Sequence, residues 1–198
     1  SHCKTIVVED QIRSAAKVYY SFHQTAINMQ DLQENAGKFL ELCELCKNPA
    51  QEILKKKDLS VVSHVDADGL TSAAIICTAL DRRGLEYKPM FFRQLDEAAI
   101  AEIADRNADL AIFTDLGSGM IQQICECGLP AVVADHHKPA ACDARPLAHI
   151  NPHLVGADGA TQLSGSGTSF LLARELALSP GANDDLAGLA IVGAVGDL

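Results

Sequence analysis

The chain has 198 residues, 48% apolar and 21% charged, with a formal net charge of −10. This is globular composition, not that of a disordered chain, and the length suits one domain or one domain with a small appendage. The acidic balance argues against broad coating of duplex DNA, which needs a basic face. It leaves room for a polyanionic substrate held through cations, because a carboxylate-rich site becomes far less negative once they bind.

The N-terminus, SHCKTIVVEDQIRSAAK, carries charges early and lacks the apolar core of a signal peptide. No run approaches the roughly 18 uninterrupted apolar residues of a membrane span, so no membrane association is expected. Residues 10–28 and 31–47 have helical composition. In the second stretch Leu32, Ala36, Phe39, Leu40 and Cys43 recur at helical spacing, and Asp31 with Glu34 resembles a capping box. The spacing predicts an N-terminal helical lead-in over residues 1–57, broken by KKKD at 55–58, a solvated helix end.

Beyond it the texture changes. Strands are predicted at 59–65 (LSVVSHV), 87–92 (YKPMFF), 110–116 (LAIFTDL), 131–137 (AVVADHH) and 148–152 (AHINP). Helices are predicted between and after them, at 70–84, 96–107, 119–128 and 182–198, the last with Asp184 or Asp185 near its start, and 162–179 reads as a small-residue loop feeding a helix. Strands alternating with helices of this length mean crossover units. Runs such as VV, AIF and AVV are apolar on consecutive residues, as in strands covered on both faces. The expected fold is α/β: a doubly wound, mainly parallel sheet of about five strands flanked by helices, with the helical lead-in before it. The domain proper would run over 58–198, and the stop at Asp197-Leu198, inside an apparently structured element, suggests a piece of a longer protein.

The seven cysteines are odd in number and scattered. Cys43 and Cys46 form a C-x-x-C, and Cys125 and Cys127 a C-x-C, both in helix-like segments without a second well-spaced pair. They read as reduced thiols of a cytoplasmic protein, in the core or on the surface, and not as a zinc site.

In open parallel sheets, ligands bind outside the carboxyl ends of the strands. The first strand delivers His64, Asp66 and Asp68 there, in SHVDADG; the third delivers Asp115, in FTDLGSG; the fourth delivers Asp135, His136 and His137. Taken singly, each is as well explained by a cap or a turn, and Asp68-Gly69 is a turn signal in its own right. Three strand ends that all deliver Asp or His change that balance. Crowded carboxylates raise one another's pKa, and divalent cations remove the cost. Carboxylates and imidazoles without thiolates suit Mn²⁺ or Mg²⁺ better than structural zinc. At least five candidate ligands make a two-ion site plausible, with ions about 3.5–4 Å apart activating a water for attack on phosphorus. The loop LSGSGTS at 163–169 precedes a helix. Alone it is an ordinary flexible turn; beside such a centre it becomes a candidate phosphate cradle.

These motifs resemble the DHH phosphoesterase superfamily. Asp135-His136-His137 looks like its signature, and HVDADG, FTDLGSG and the Asp197 of AIVGAVGDL resemble its other motifs in order. The HxDxDG form, Asn151-Pro152 and SGSGTSFLLAREL are similar to the RecJ-like branch, particularly its archaeal-type members. The resemblance implies that Asp66, Asp68, Asp115, His136 and Asp197 are metal ligands, with Asp115 as the bridge and His64 a further ligand or a close neighbour of the first ion. It implies that Asp135 orients a histidine and that His137 faces the substrate phosphate or assists proton transfer, so that Asp115, Asp135, His136 and His137 carry the catalysis. Gly165, Ser166 and Gly167 would line the phosphate path. The cofactor implied is a pair of divalent ions, Mn²⁺ before Mg²⁺. The activity implied is hydrolysis of single-stranded DNA or RNA from an end, in association with replication or repair proteins. Relatives resemble a two-domain clamp, and the C-terminal substrate-binding domain has no counterpart in these residues. Short oligonucleotides, cyclic dinucleotides or polyphosphate are alternative substrates of the same chemistry, and a non-catalytic replication or repair subunit is a further alternative.

Overall fold

The computed structural model describes residues 29–197, so the helix expected over 10–28 lies outside the described residues. The chain falls into two compact units, Ser1–Leu40 and Glu41–Leu198. The second unit contains all five strands. Among the described residues no helix is long and apolar enough to cross a membrane.

The first described helix, α1, spans Met29–Ile53. It is already running two residues before Asp31, so the capping box expected at Asp31 and Glu34 does not start it. Glu34 instead pairs with Lys38 one turn on, at 2.7 Å. In the second unit, Leu42, Cys46, Ala50 and Ile53 recur at helical spacing and are buried. The end of α1 therefore packs into the same body as the sheet, ahead of the boundary expected at 57/58.

The five strands are β1 (Asp58–His64), β2 (Glu86–Phe92), β3 (Leu110–Thr114), β4 (Ala131–Ala134) and β5 (Ala148–Ile150), in the order β2-β1-β3-β4-β5. Every pairing is parallel. The order places a topological switch point between β1 and β3, where the chain winds outward in both directions. β2 lies at an edge, which is where its Pro89 is tolerated.

The helices α2 (Ala67–Arg83), α3 (Glu97–Asp105), α4 (Ile121–Glu126), α5 (Gly165–Glu175) and α6 (Ala187–Gly196) complete the unit. Val62, Ala111, Phe113, Ala131 and Val133 bury one face of the sheet against Ala99, Ile100 and Ile103 of α3 and Ile121 and Ile124 of α4. Side chains alternate along a strand, so Val61, Ile112 and Val132, also fully buried, point to the other face. This two-sided cover explains the uninterrupted apolar runs.

The register fixes where the chemistry emerges. Ser63, Thr114, Ala134 and Ile150 are paired in one row across the sheet. The next residue on each strand, respectively His64, Asp115, Asp135 and Asn151, therefore leaves at the same edge. The strands expected over 110–116 and 131–137 stop short, at Thr114 and Ala134. β3 ends because Asp115 turns into the left-handed region, φ 57°.

Candidate metal centre

Each acid is placed by local backbone chemistry. Asp66 is the N-cap of α2, and its Oδ1 accepts the Gly69 amide at 2.8 Å. Asp68 lies in the first turn of α2, fully buried. Asp197 is the C-cap of α6. Asp115 is 2% exposed and packs against Gly165, where any β-carbon would overlap its carboxylate. That close approach is why residue 165 must be glycine.

Two imidazoles complete the set, and both are oriented in the same way. His136 Nδ1 lies 2.9 Å from the Gly159 carbonyl and donates to it, so that in the neutral ring the lone pair is on Nε2. That atom is 3.2 Å from Asp115 Oδ1, 3.8 Å from Asp197 Oδ2 and 3.9 Å from Asp68 Oδ2. His64 Nε2 donates to the Arg93 carbonyl at 3.0 Å, and its Nδ1 faces Asp66 Oδ2 at 2.6 Å. A ring held by a carbonyl on one nitrogen, with the other turned toward the acids, is the usual support of a metal-binding histidine.

The donor atoms gather into groups within 4.8 Å: His64, Asp66 and Asp115; Asp68, His136 and Asp197; and Asp115 with Asp135, His136 and His137. Asp115 joins the first of these to His136. The donor set fits a divalent cation on a further ground. Asp115 Oδ1 and His136 Nε2 are buried with no partner in hydrogen-bond geometry, a condition protein interiors avoid. Burial, and then the charges of Asp68 and Asp135, push the Asp115 carboxyl up to about 7 against the pull of His136. Burial lowers the His136 ring, but Asp115 and the Gly159 carbonyl outweigh it and raise it to about 9. Among the described residues no cysteine joins these groups, and burial pushes the thiols of Cys43, Cys46 and Cys125 up.

Asp135 does a different job. Its Oδ2 accepts the Ser118 amide at 2.9 Å; its Oδ1 accepts the His136 and His137 amides and the His137 ring Nδ1, the last at 2.8 Å. It is fully buried, and burial would raise its pKa, but these donors hold it low. The histidine it orients is His137, whereas His136 is held by a backbone carbonyl. The bond from Asp135 raises the His137 pKa, and the His137 side chain stays 58% exposed beside His136.

The glycine loop is not free to cradle phosphate with its amides. Gly165 N–H and Ser166 N–H are donated to Asp68 Oδ2 and Oδ1, at 2.7 and 3.0 Å, and Gly167 N–H to Ser164 Oγ at 3.2 Å. The Asp68 carboxylate already occupies the anion seat at the N-terminus of α5. The small residues there allow close approach to the acids. Several supporting groups left no mark in the motifs. The carbonyls of Gly159 and Arg93 act through backbone, which any residue supplies. Ser118 and Asn151 stand within recognisable segments: Asn151 Nδ2 donates to Ser118 Oγ and to the His137 carbonyl, both at 2.9 Å.

A parallel sheet with carboxylates and imidazoles gathered at its switch point defines an α/β protein with a metal-competent acidic centre. The chain belongs to the DHH family: the description "DHH family, N-terminal domain" fits residues 58–194. It is 33% identical over 168 residues to an uncharacterized protein of Methanocaldococcus jannaschii, matching 81% of this chain and 38% of that protein. It is 29% identical over 160 residues to the single-stranded-DNA-specific exonuclease RecJ of Bacillus subtilis, matching 75% of this chain and 20% of the exonuclease. The fold superposes on a crystal structure of exonuclease RecJ bound to manganese with a TM-score of 0.67 at 26% identity, covering 79% of this chain and 43% of that one. The chain thus spans less than half the length of each of these three relatives.

The buried acid has a cost that can be measured. The Asp115 carboxyl is raised from 3.8 to about 7, so its protonated form favours folding. In chelator, its contribution to stability is full below the ordinary carboxylate range and is lost as pH rises through about 7. Asp115→Asn keeps a residue tolerant of the left-handed turn and removes the charge. It is expected to raise metal-free stability at about pH 8 by about 1–3 kcal/mol, read by urea denaturation in chelator. A second expectation concerns the close approach at Gly165. Gly165→Ala should displace the Asp115 carboxylate and weaken Mn²⁺ binding at least about tenfold by calorimetry, with the far-ultraviolet dichroism unchanged.

Proposed function

We propose that this chain is the metal-binding domain of a RecJ-like phosphodiesterase that hydrolyses single-stranded nucleic acid from an end. The observation that carries the reading is Asp115, a buried carboxylate in a left-handed turn, common to the His64–Asp66 cluster and to the cluster around His136. We assign one ion to His64, Asp66 and Asp115 and a second to Asp68, Asp115, His136 and Asp197. The similarity to a RecJ structure holding manganese supports Mn²⁺ as the cofactor. Divalent ions in this place supply Lewis-acid polarisation of phosphoryl oxygens and a lowered pKa for water.

The chain's own residues do the rest. Asp66, Asp68, Asp115 and Asp197 hold the charge that draws the ions in. The carbonyls of Gly159 and Arg93 keep the His136 and His64 rings in the tautomer that presents a lone pair. Asp135 aims His137, whose Nδ1 it engages, so that Nε2 is turned outward on an exposed ring. The bond from Asp135 raises the His137 pKa and so favours the protonated ring, suited to a bond with a substrate phosphate or to passing a proton to the leaving oxygen. No nucleophilic Ser or Cys is needed.

A second reading keeps the chemistry and changes the substrate to short oligonucleotides, cyclic dinucleotides or polyphosphate. The net charge of −10 favours it, since long strands need an extended basic track.

With Mn²⁺ present, the protein is expected to release nucleotides from an end-labelled single strand faster than it cleaves a dinucleotide or polyphosphate. The reverse order would favour the second reading. Asp115→Ala is expected to lower the rate at least about 100-fold, because loss of mere supporting partners already costs 10–100-fold at such sites. Wild-type rates in that variant, or no Mn²⁺-dependent hydrolysis of any of these substrates, would overturn the proposal.

A further inference from the structure

α6 brings Asp197 to the centre, yet apolar packing hardly anchors it. Ile191, Val192 and Val195 are 64%, 59% and 65% exposed, and Gly193 is the buried residue of the helix. What holds α6 is close and polar. A β-carbon at 193 would overlap Thr71 Oγ1 and Ser166 Oγ and would come within 2.6 Å of Asp68 Oδ1. The α6 backbone therefore rests directly against the Asp68 carboxylate. Ser166 Oγ donates to the Ala190 carbonyl at 3.0 Å, one turn before. Gly196 leaves no room for a β-carbon beside Ala67. The Gly193 carbonyl then accepts the Asp197 amide at 3.1 Å, so the residue seated on Asp68 is bonded to the one that faces His136.

We propose that Gly193, with Ser166 beneath it, is a positioning residue that sets the depth of α6 and thereby delivers Asp197 to the Asp68–His136 half of the centre. The inference rests on the two-ion reading above. Gly193 is assigned no contact with an ion or with substrate, and Ser166, expected from the sequence to line the phosphate path, gives its amide to Asp68 and its hydroxyl to Ala190. Ligand distances in metal sites hold to about 0.2 Å. Lifting α6 by even part of a methyl radius would take Asp197 outside that tolerance. The other half, His64, Asp66 and Asp115, is built from the end of β1, the cap of α2 and the turn after β3, and α6 supplies nothing to it.

The test counts Mn²⁺ bound, by calorimetry and by electron paramagnetic resonance, in the wild-type protein, Gly193→Ala, Ser166→Ala and Gly188→Ala. Gly193→Ala is expected to keep one ion at near-wild-type affinity and to bind the second at least tenfold more weakly. A general loss of structure would instead remove both. Ser166→Ala removes the bond to Ala190 without adding bulk, and should weaken the second ion a few-fold. Gly188 lies on the same helix with nothing within 4 Å of a β-carbon, so Gly188→Ala should bind as wild type does. Should Gly193→Ala not fold, Ser166→Ala decides. Two ions held as tightly by Gly193→Ala and Ser166→Ala as by wild type would overturn the positioning role alone, as would loss of both ions in a folded Gly193→Ala. A wild-type protein that takes up no Mn²⁺ would overturn the two-ion reading, and this inference with it.

Discussion

Four carboxylates, from Asp66, Asp68, Asp115 and Asp197, converge with two imidazoles on one sheet edge, and their mutual repulsion is the constraint on which the rest of the structure depends. In water such charges would separate. Here they are held by devices that do not relax: a cap, a left-handed turn, a buried helix start and a glycine seat. Partial relief comes from bonds within the chain. Asp68 receives two amides from α5 and Asp66 one from α2. Asp115 receives none on Oδ1, and burial pushes its carboxyl up to about 7. The site thus leaves its largest unmet demand at the point common to both ligand clusters, where a cation gains most by binding.

The two histidines of the DHH run illustrate how neighbouring residues come to different work. His136 turns inward, gives one nitrogen to the Gly159 carbonyl and aims the other at the acids. His137 turns outward and leans on Asp135, which is low in pKa because four donors surround it. A buried carboxylate saturated by donors makes a firm support and a poor ligand. One short of donors has the opposite character. This contrast separates Asp135 from Asp115 without reference to any relative.

Much of this was legible in the sequence, because the signals were local. Apolar runs ending in Asp or His marked β1, β3 and β4 together with the edge where their chemistry emerges, and alternation with helices implied the parallel sheet. What escaped were relations between distant positions. Nothing near SGSG shows that Asp68, 97 residues earlier, occupies the amides of that helix start. A glycine-rich loop before a helix carries the same signal whether its anion comes from a ligand or from the chain itself. The carbonyls of Gly159 and Arg93 were invisible for another reason, since every residue has one. Strand ends were overrun at Asp115 because an aspartate gives little notice of a positive φ.

The small residues of α5 and α6 acquire meaning from that same distance. Gly165 allows the α5 backbone to touch Asp115, and Gly193 allows the α6 backbone to touch Asp68. In both places the absence of a side chain brings a helix within van der Waals reach of an acid. A low-dielectric backbone packed against a carboxylate excludes water from it and strengthens its pull on whatever cation approaches. The glycines therefore act on the electrostatics of the centre as well as on its shape. Binding phosphate through free amides and shielding acids through close backbone contact need the same composition, and only the hydrogen bonds of Asp68 tell the two apart.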